Sequence, residues 1–364
     1  MLQRLRRRMS GTMAVMWLIG LAIVALVVIG SVKTLVKGTY GADMWVNTTI
    51  YGIAQGGIYA LIALGYTLGY GILRMINFAH SEVFMAGPFI GFFVADAFDR
   101  AGLLNRQPAI WPILCLLVVL LVAIVVSTVI AVLLERIAYR PLRRAPRLVP
   151  LITAIGASYF LQYTFMGMFG SNPKGWPEIQ ILKGRWPLGN WPLVGEVTIL
   201  KTQAVVIVAA VLILAALYVF VRRTKTGKAM QAVSEDKDTS ALMGIDVDRI
   251  IVITFVVGGA LAGAAGFFYA LLFRGATQFN MGFFPGIKAF TAAVLGGIGN
   301  VVGAMLGGMF LGIAESLVTN LVLDGWGIPA PYQLKDALAF VLLVLVLIFR
   351  PSGILGERLA AKKA

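Results

Sequence analysis

The sequence predicts an all-α, polytopic membrane protein with about 8–10 transmembrane helices, some of them discontinuous. Three observations carry that prediction. Of 364 residues, 59% are hydrophobic and only 13% charged, whereas a soluble domain is nearer a quarter charged. The mean hydropathy is +0.88. The apolar residues come in long blocks and not in alternation, which selects helices over an outer-membrane barrel. The single cysteine, Cys115, lies inside an apolar block, and there is one histidine. An internal disulfide and a cysteine or multi-histidine metal site are therefore excluded. The net charge of +15 comes from basic residues scattered between apolar blocks, a pattern that orients a chain in a membrane and does not suit nucleic acid.

Taken in order, residues 1–12 hold Arg4, Arg6, Arg7 and Arg8 before an apolar run over 13–32. That run exceeds a signal-peptide core and no Ala-x-Ala site follows it, so it reads as a retained first span. Further runs follow at 45–71, 82–98, 110–134, 149–170, 201–221, 250–273, 287–299, 301–323 and 335–349. The run at 287–299 is short for a full crossing. Threaded from a cytoplasmic N-terminus, the inner segments 1–12, 72–81, 135–148, 222–249 and 350–364 carry 20 of the 31 Lys and Arg. That bias has the sign of the positive-inside rule and places the C-terminus in the cytoplasm too. Trp45, Trp111, Trp176, Trp186, Trp191 and Trp326 fall at predicted outer edges, as an interfacial belt would. Trp-Pro pairs at 176–177, 186–187 and 191–192 keep the outer loop 171–200 extended.

Small residues recur at the spacing that lets helices approach closely: Gly52 and Gly56, Gly259 and Gly263, Gly303 and Gly307, Gly308 and Gly312. Two glycine-rich breaks stand out, at 65–84 and 293–303, and suggest a parallel internal repeat with a site between its halves. The first break carries Gly65, Gly69 and Gly71, then Arg74, Asn77, His80, Ser81 and Glu82 in apolar surroundings. On one continuous helix Asn77, His80 and Ser81 share a face while Glu82 points elsewhere. Two readings stand. A break between half-helices would let Asn77, His80 and Glu82 line a translocation pathway, whereas a short cytoplasmic hairpin would leave them to water, with Glu82 pairing Arg74. Titratable groups at depth read as Glu82, His80 and Glu315, the last near a helix end.

The longest inner loop, 222–249, contains Thr226-Gly227-Lys228 but no leading glycine, so it is not a phosphate cradle. Ala229, Ala232 and Val233 form one small apolar face at i, i+3 and i+4, followed by Glu235 and Asp236. Asp238 is positioned to cap a second short helix ending at Gly244. Such a segment suits either docking onto another protein or a solvated hairpin. No nucleophile–base pair or metal cluster points to an enzyme.

Several strings resemble the permeases of branched-chain amino acid ABC importers, of the LivH type. They are Ile76-Asn-Phe-Ala-His80, Glu135-Arg-Ile-Ala-Tyr-Arg-Pro-Leu-Arg143, Leu148 to Gln162, Thr226-Gly-Lys-Ala-Met-Gln-Ala232, Met243-Gly-Ile245 and Leu261-Ala-Gly-Ala-Ala-Gly266. The chain departs from the family at Ser81, where glycine is usual, and in its long charged N-terminal lead. The resemblance implies a bacterial inner-membrane permease domain over 45–355, preceded by an N-terminal extension with an additional span (1–44) and followed by a cytoplasmic tail (356–364). It implies a LivM-like second permease, two ATPase subunits and an extracytoplasmic amino-acid-binding protein as partners. No cofactor is expected on this chain, ATP being used by the partner subunits. Loop 222–249 would then be the coupling segment, with Gly227, Ala229, Ala232, Val233, Glu235 and Asp236 at the ATPase contact. Arg136, Arg140, Arg143 and Arg144 read as membrane-orienting charge or as a second contact. The competing expectation is an ion-coupled secondary transporter or channel acting without an ATPase.

Overall fold

The structure is a computed structural model that describes residues 11–143, 145–146, 148–191, 195–274, 277–349 and 353–356. Among these, nine helices are long and apolar enough to cross a membrane, and one apolar helix is shorter. In chain order they are α1 (Gly11–Lys37), α2 (Ala42–Leu73), α3 (His80–Arg100), α4 (Ile110–Leu133) and α5 (Leu148–Phe169). Then come α6 (Lys201–Arg223), the short α7 (Lys225–Glu235) and α8 (Lys237–Leu242), and α9 (Val247–Phe273). The set closes with α10 (Phe283–Gly296), α11 (Val301–Val318) and α12 (Lys335–Phe349). Ten apolar runs in the sequence thus become nine full helices and the short α10.

α2 is the axis. Every residue from Ala54 to Leu68 is buried, as expected of a helix apolar all round. α3 and α9 pack beside it, whereas α1 and α12 lie at the edge with few of their residues buried. All four glycine pairs sit at helix crossings. Gly52 and Gly56 face Gly308 and Gly312 of α11, and a Cβ on Gly56 would come 2.9 Å from the Met309 Cα. Gly259 and Gly263 face α4, where a Cβ on either would come 2.8 Å from the Cα of Thr128 or Ile124. Gly303 and Gly307 close α11 onto Gly296 and Ala292 of α10. Backbones this close gain dispersion contacts that larger side chains would block.

These contacts fix direction. Gly52 meets Gly312 and Ala60 meets Gly308, so α2 and α11 are antiparallel. The end holding α7, α8 and Arg74 is called the connector end here, and the opposite one the far end. Helix termini are set by local chemistry. The Thr224, Asp236, Asp246 and Asn300 side chains accept from backbone N–H groups and cap α7, α8, α9 and α11. Asp236, not Asp238, caps α8, accepting from the N–H groups of Asp238 and Thr239 at 2.9 and 3.1 Å. Gly244 then terminates the turn with φ +85°.

Two further features depart from expectation. The far-end loop carries an antiparallel hairpin, β1 (Arg185–Trp191) with β2 (Gly195–Leu200), the ordered form of the extended Trp-Pro segment. Trp176 is not an interfacial anchor: it is buried and its Nε1 donates to Thr277 Oγ1 at 2.9 Å.

Candidate functional site: two helix N-termini meeting at depth

α2 does not break at its glycines. It runs through Gly65, Gly69 and Gly71 to Leu73, and Arg74 follows in the left-handed conformation with φ 56°. Residues 75–79 then turn back into the bundle, and α3 starts at His80 beside Gly65. Gly65 is a clearance, because a Cβ there would overlap the His80 ring. Gly258, eleven residues along α9 from Val247, faces the same ring. At 1.5 Å per residue that puts His80 about 16 Å inside the connector end.

The mirror situation holds on the other side. α9 ends at Phe273 with Arg274 also left-handed, at φ 34°. The chain re-enters from the far end, tied by the Lys174 N–H to the Thr277 carbonyl at 2.9 Å, and α10 begins at mid-depth. Gly282 and Gly286 press on Ser81, so the N-termini of α3 and α10 meet. The counterpart of the 74–79 turn is therefore the 274–282 segment and not the glycine turn at 297–300. The two run in opposite senses, inverted where the sequence suggested parallel. Helix N-termini carry unpaired N–H groups and partial positive charge, and broken helices with N-termini at the midplane are the usual frame of transporter sites.

Asn77, Ser81, Glu82 and Arg74 of the first break all have hydrogen-bond partners. Asn77, outside the helix, accepts from the Tyr139 hydroxyl at 2.5 Å. His80 and Glu82 are buried on the first turn of α3. Glu82 Oε1 accepts from Gln162 Nε2 at 2.7 Å, and from Ser158 and Ser81 Oγ at 3.2 Å each. Ser158 and Gln162 lie one turn apart on α5, so a single carboxylate pins α5 to α3. Glu82 does not pair with Arg74, whose Nη2 donates to the Ser234 carbonyl of α7. Buried acceptors without partners remain: Glu82 Oε2 and His80 Nε2 have none among the described residues.

Sequence reasoning missed a second buried cluster. Lys288, on the first turns of α10, pairs with Glu315 at 2.6 Å and Asp336 at 2.5 Å and donates to the Tyr59 hydroxyl at 3.3 Å. Gln55 donates to the same hydroxyl at 2.6 Å. The buried titratable groups thus extend beyond His80, Glu82 and Glu315 to Lys288 and, at the connector end, Glu135. The signal was present, since Lys288 interrupts an apolar run. A lone lysine there needs a partner, and Glu315 was the acidic group in reach.

At the connector end, α4 passes into a π-helical turn, Leu134–Tyr139, which holds Glu135 and Tyr139 inward. Arg143 binds Glu135 and Asp248 together, and Arg140 reaches Asp248 at 3.4 Å. Those two arginines are thus internal ties as well as surface charge. Arg136 is exposed, and Arg144 lies outside the described residues. On α7, Gly227, Met230 and Val233 face the bundle and are buried. Ala229 and Ala232 are half-buried, and Glu235 and Asp236 are exposed. Beyond α7, Leu242 and Met243 are 88% and 79% exposed at the tip of α8. Partial burial, then the charges of Arg143 and Arg74, hold the Lys237 ammonium below its usual range, with Asp238 opposing. The connector thus brings Lys237 of α8 within electrostatic reach of Arg74 and Arg143.

Known proteins resemble this chain in sequence over most of its length. Residues 48–347 match the family model described as the permease component of branched-chain amino acid transport systems. The chain is 42% identical over 313 residues to the high-affinity branched-chain amino acid transport system permease protein BraD of Pseudomonas aeruginosa, covering 86% of this chain and 96% of that one. It is 41% identical over 306 residues to the LivH permease protein of Escherichia coli, covering 84% and 94%. A weaker likeness, 30% over 153 residues, links it to a probable LivM permease protein of Methanocaldococcus jannaschii, covering 39% of this chain and 43% of that one. No solved structure matches. The re-entrant turns, the buried polar junction and the long apolar helices are thus those of a multi-pass membrane protein, and the chain belongs to the branched-chain amino acid transport permease family.

Proposed function

We propose that the chain is one permease half of an ABC importer for branched-chain or related small amino acids, moved by separate ATPase subunits that bind the connector. A LivM-like second permease and an extracytoplasmic amino-acid-binding protein complete the assembly. The chain binds no cofactor, and ATP is consumed by the partners. It sits in the bacterial inner membrane with both termini in the cytoplasm, and the connector end is the cytoplasmic end. The translocation pathway runs past Asn77, His80 and Glu82.

One observation carries the reading. Arg74, at the turn leading to Asn77 and His80, is hydrogen-bonded to the Ser234 carbonyl of α7. A force on α7 therefore reaches the buried N-termini through one residue, as a two-state element biased from outside requires. Gly227 and Val233 are packed against the bundle and hold α7 in place. The ATPase contact then falls on the outward side, from Ala229, Ala232, Glu235 and Asp236 to Leu242 and Met243. Exposed apolar side chains outside the membrane-spanning helices suit a protein groove.

The test is Leu242→Asp with Met243→Asp in the assembled transporter. Uptake should fall at least about tenfold, the equivalent of losing ~1.4 kcal/mol of contact, with membrane levels unchanged. Unaltered uptake would remove the tip of α8 from the contact. The competing reading, an ion-coupled carrier, draws on the buried Lys288–Glu315 pair. Uphill uptake by the purified chain alone in liposomes, on a proton or sodium gradient, would establish it and sink the ABC reading.

A further inference from the structure

The far end carries a counterpart of the connector. Arg74 and Arg274 both stand in the left-handed conformation, one ending α2 and the other α9, and each precedes the return to a buried helix N-terminus. Arg74 is held by α7, outside the membrane-spanning helices. Arg274 is held by the far-end loop. Its carbonyl accepts from the Trp176 N–H at 2.9 Å, and its guanidinium pairs with Glu178 at 3.4 Å. Thr277 takes two more bonds from the same stretch: its carbonyl accepts from the Lys174 N–H and its Oγ1 from Trp176 Nε1, at 2.9 Å each. Gly282, a few residues further along, presses on Ser81 at the junction.

The loop has a firm seat. Trp176 and Thr277 are both buried, and the indole meets Phe267 of α9 edge-on with 5.8 Å between ring centres. Pro177, Ile179 and Leu182 face Ala270 and Leu271 of α9 across a void of only about 10 Å³, about the room of one water. On the other side, Lys174 Nζ lies 5.9, 5.8 and 5.1 Å from the ring centres of Phe89, Phe92 and Phe93 on α3, within cation–π range of each. Residues 174–178 thus touch α3, the end of α9 and the lead into α10. Close-packed interiors have low compressibility and transmit strain. A shift of this segment therefore moves Thr277 with it, because three directed hydrogen bonds and an ion pair join the two.

We propose that Trp176 is a positioning residue for α10, and that loop 171–182 is the far-end input to the buried junction. A load on that loop passes through Trp176 to Thr277, and from there to the N-terminus of α10 against Ser81. Trp176 touches no substrate and acts only through Thr277. The inference rests on the importer reading, which puts an amino-acid-binding protein at the far end, and that protein supplies the load. Each of the two buried N-termini then has its own lever, α7 for α3 and the Trp176 segment for α10.

The test follows ATP hydrolysis by the reconstituted assembly as the binding protein is titrated. Trp176→Phe keeps a ring on Phe267 and removes the Nε1 donor, whereas Thr277→Val keeps the shape and removes the acceptor. In both, the maximal stimulation by binding protein should fall at least about fivefold, which is ~1 kcal/mol, the net worth of one hydrogen bond. Hydrolysis without binding protein and the half-saturating binding-protein concentration should each stay within about twofold, which a merely structural role would not spare. Thr277→Ser, which keeps the hydroxyl, should restore stimulation, and the double variant should lose no more than either single one. If Trp176→Phe does not reach the membrane, Thr277→Val against Thr277→Ser decides. Full stimulation in the variants, or an equal fall in basal hydrolysis, overturns this inference and leaves the importer reading intact. Absence of ATP-driven uptake by the unmodified assembly sinks the importer reading and this inference with it.

Discussion

Glu82 shows how one side chain in an apolar bundle organises its neighbours. Its Oε1 collects hydrogen bonds from α3 and from two positions of α5, and α5 has few other buried residues to hold it, since only five of its side chains are buried. Replacing Glu82 by Ala should lower the unfolding midpoint of the detergent-solubilised chain by the equivalent of about 1–3 kcal/mol, because Gln162 and Ser158 are left unpaired. Gln162→Ala should do about half of that, and the double variant should cost no more than Glu82→Ala alone, since both remove one network. Additive losses in this cycle would show that the two residues act separately. The importance of Glu82 was legible in the sequence because a carboxylate inside a long apolar run has to be partnered. Its partners were not. Ser158 and Gln162 are 76 and 80 residues away, and short polar side chains on an apolar helix carry no charge to mark them.

Among the elements, the crossing of α2 and α11 is built on glycine. Gly52, Gly56, Gly308 and Gly312 bring the backbones into contact, and Ala60 continues the seam. Gly56→Leu should therefore be among the most damaging single changes. Overpacking typically costs about 1–3 kcal/mol, and here the obstruction is backbone, so the upper end is expected. Gly156→Leu, where a Cβ meets nothing within 4 Å, is the matched control and should leave the unfolding midpoint unchanged. Equal effects at both positions would show that the spacing alone, and not the crossing, was being read. All four glycine pairs were visible as spacing, yet their partners depended on topology that no local window contains. The break was placed too early for a related reason. Gly65, Gly69 and Gly71 suggested a loosened helix, but the first serves to admit the His80 ring and the helix ends only at Arg74.

For the whole molecule, the proposed push on the connector has to be felt about 16 Å away, roughly three helical turns. Two left-handed residues, Arg74 and Arg274, end α2 and α9 and start the returns that bring the N-termini of α3 and α10 together. A non-glycine residue in that conformation costs roughly 1–2 kcal/mol, so the packing around each must hold it there. For Arg74 that support includes its bond to the Ser234 carbonyl. Arg74→Ala keeps α7 and its outward surface but removes the strut between α7 and the turn. In the reconstituted assembly with its binding protein the expected result is a split. ATP hydrolysis should stay within about twofold, while amino-acid uptake falls at least about tenfold, because the connector still receives the ATPase but no longer drags the turn. Arg74→Lys should restore little, since a point charge on a flexible stem does not reproduce the directed guanidinium. Parallel loss of both activities would mean that Arg74 supports docking. Retention of both would mean that force travels instead through the Arg143 cluster, whose bonds to Glu135 and Asp248 offer the other rigid path from this face to α4 and α9.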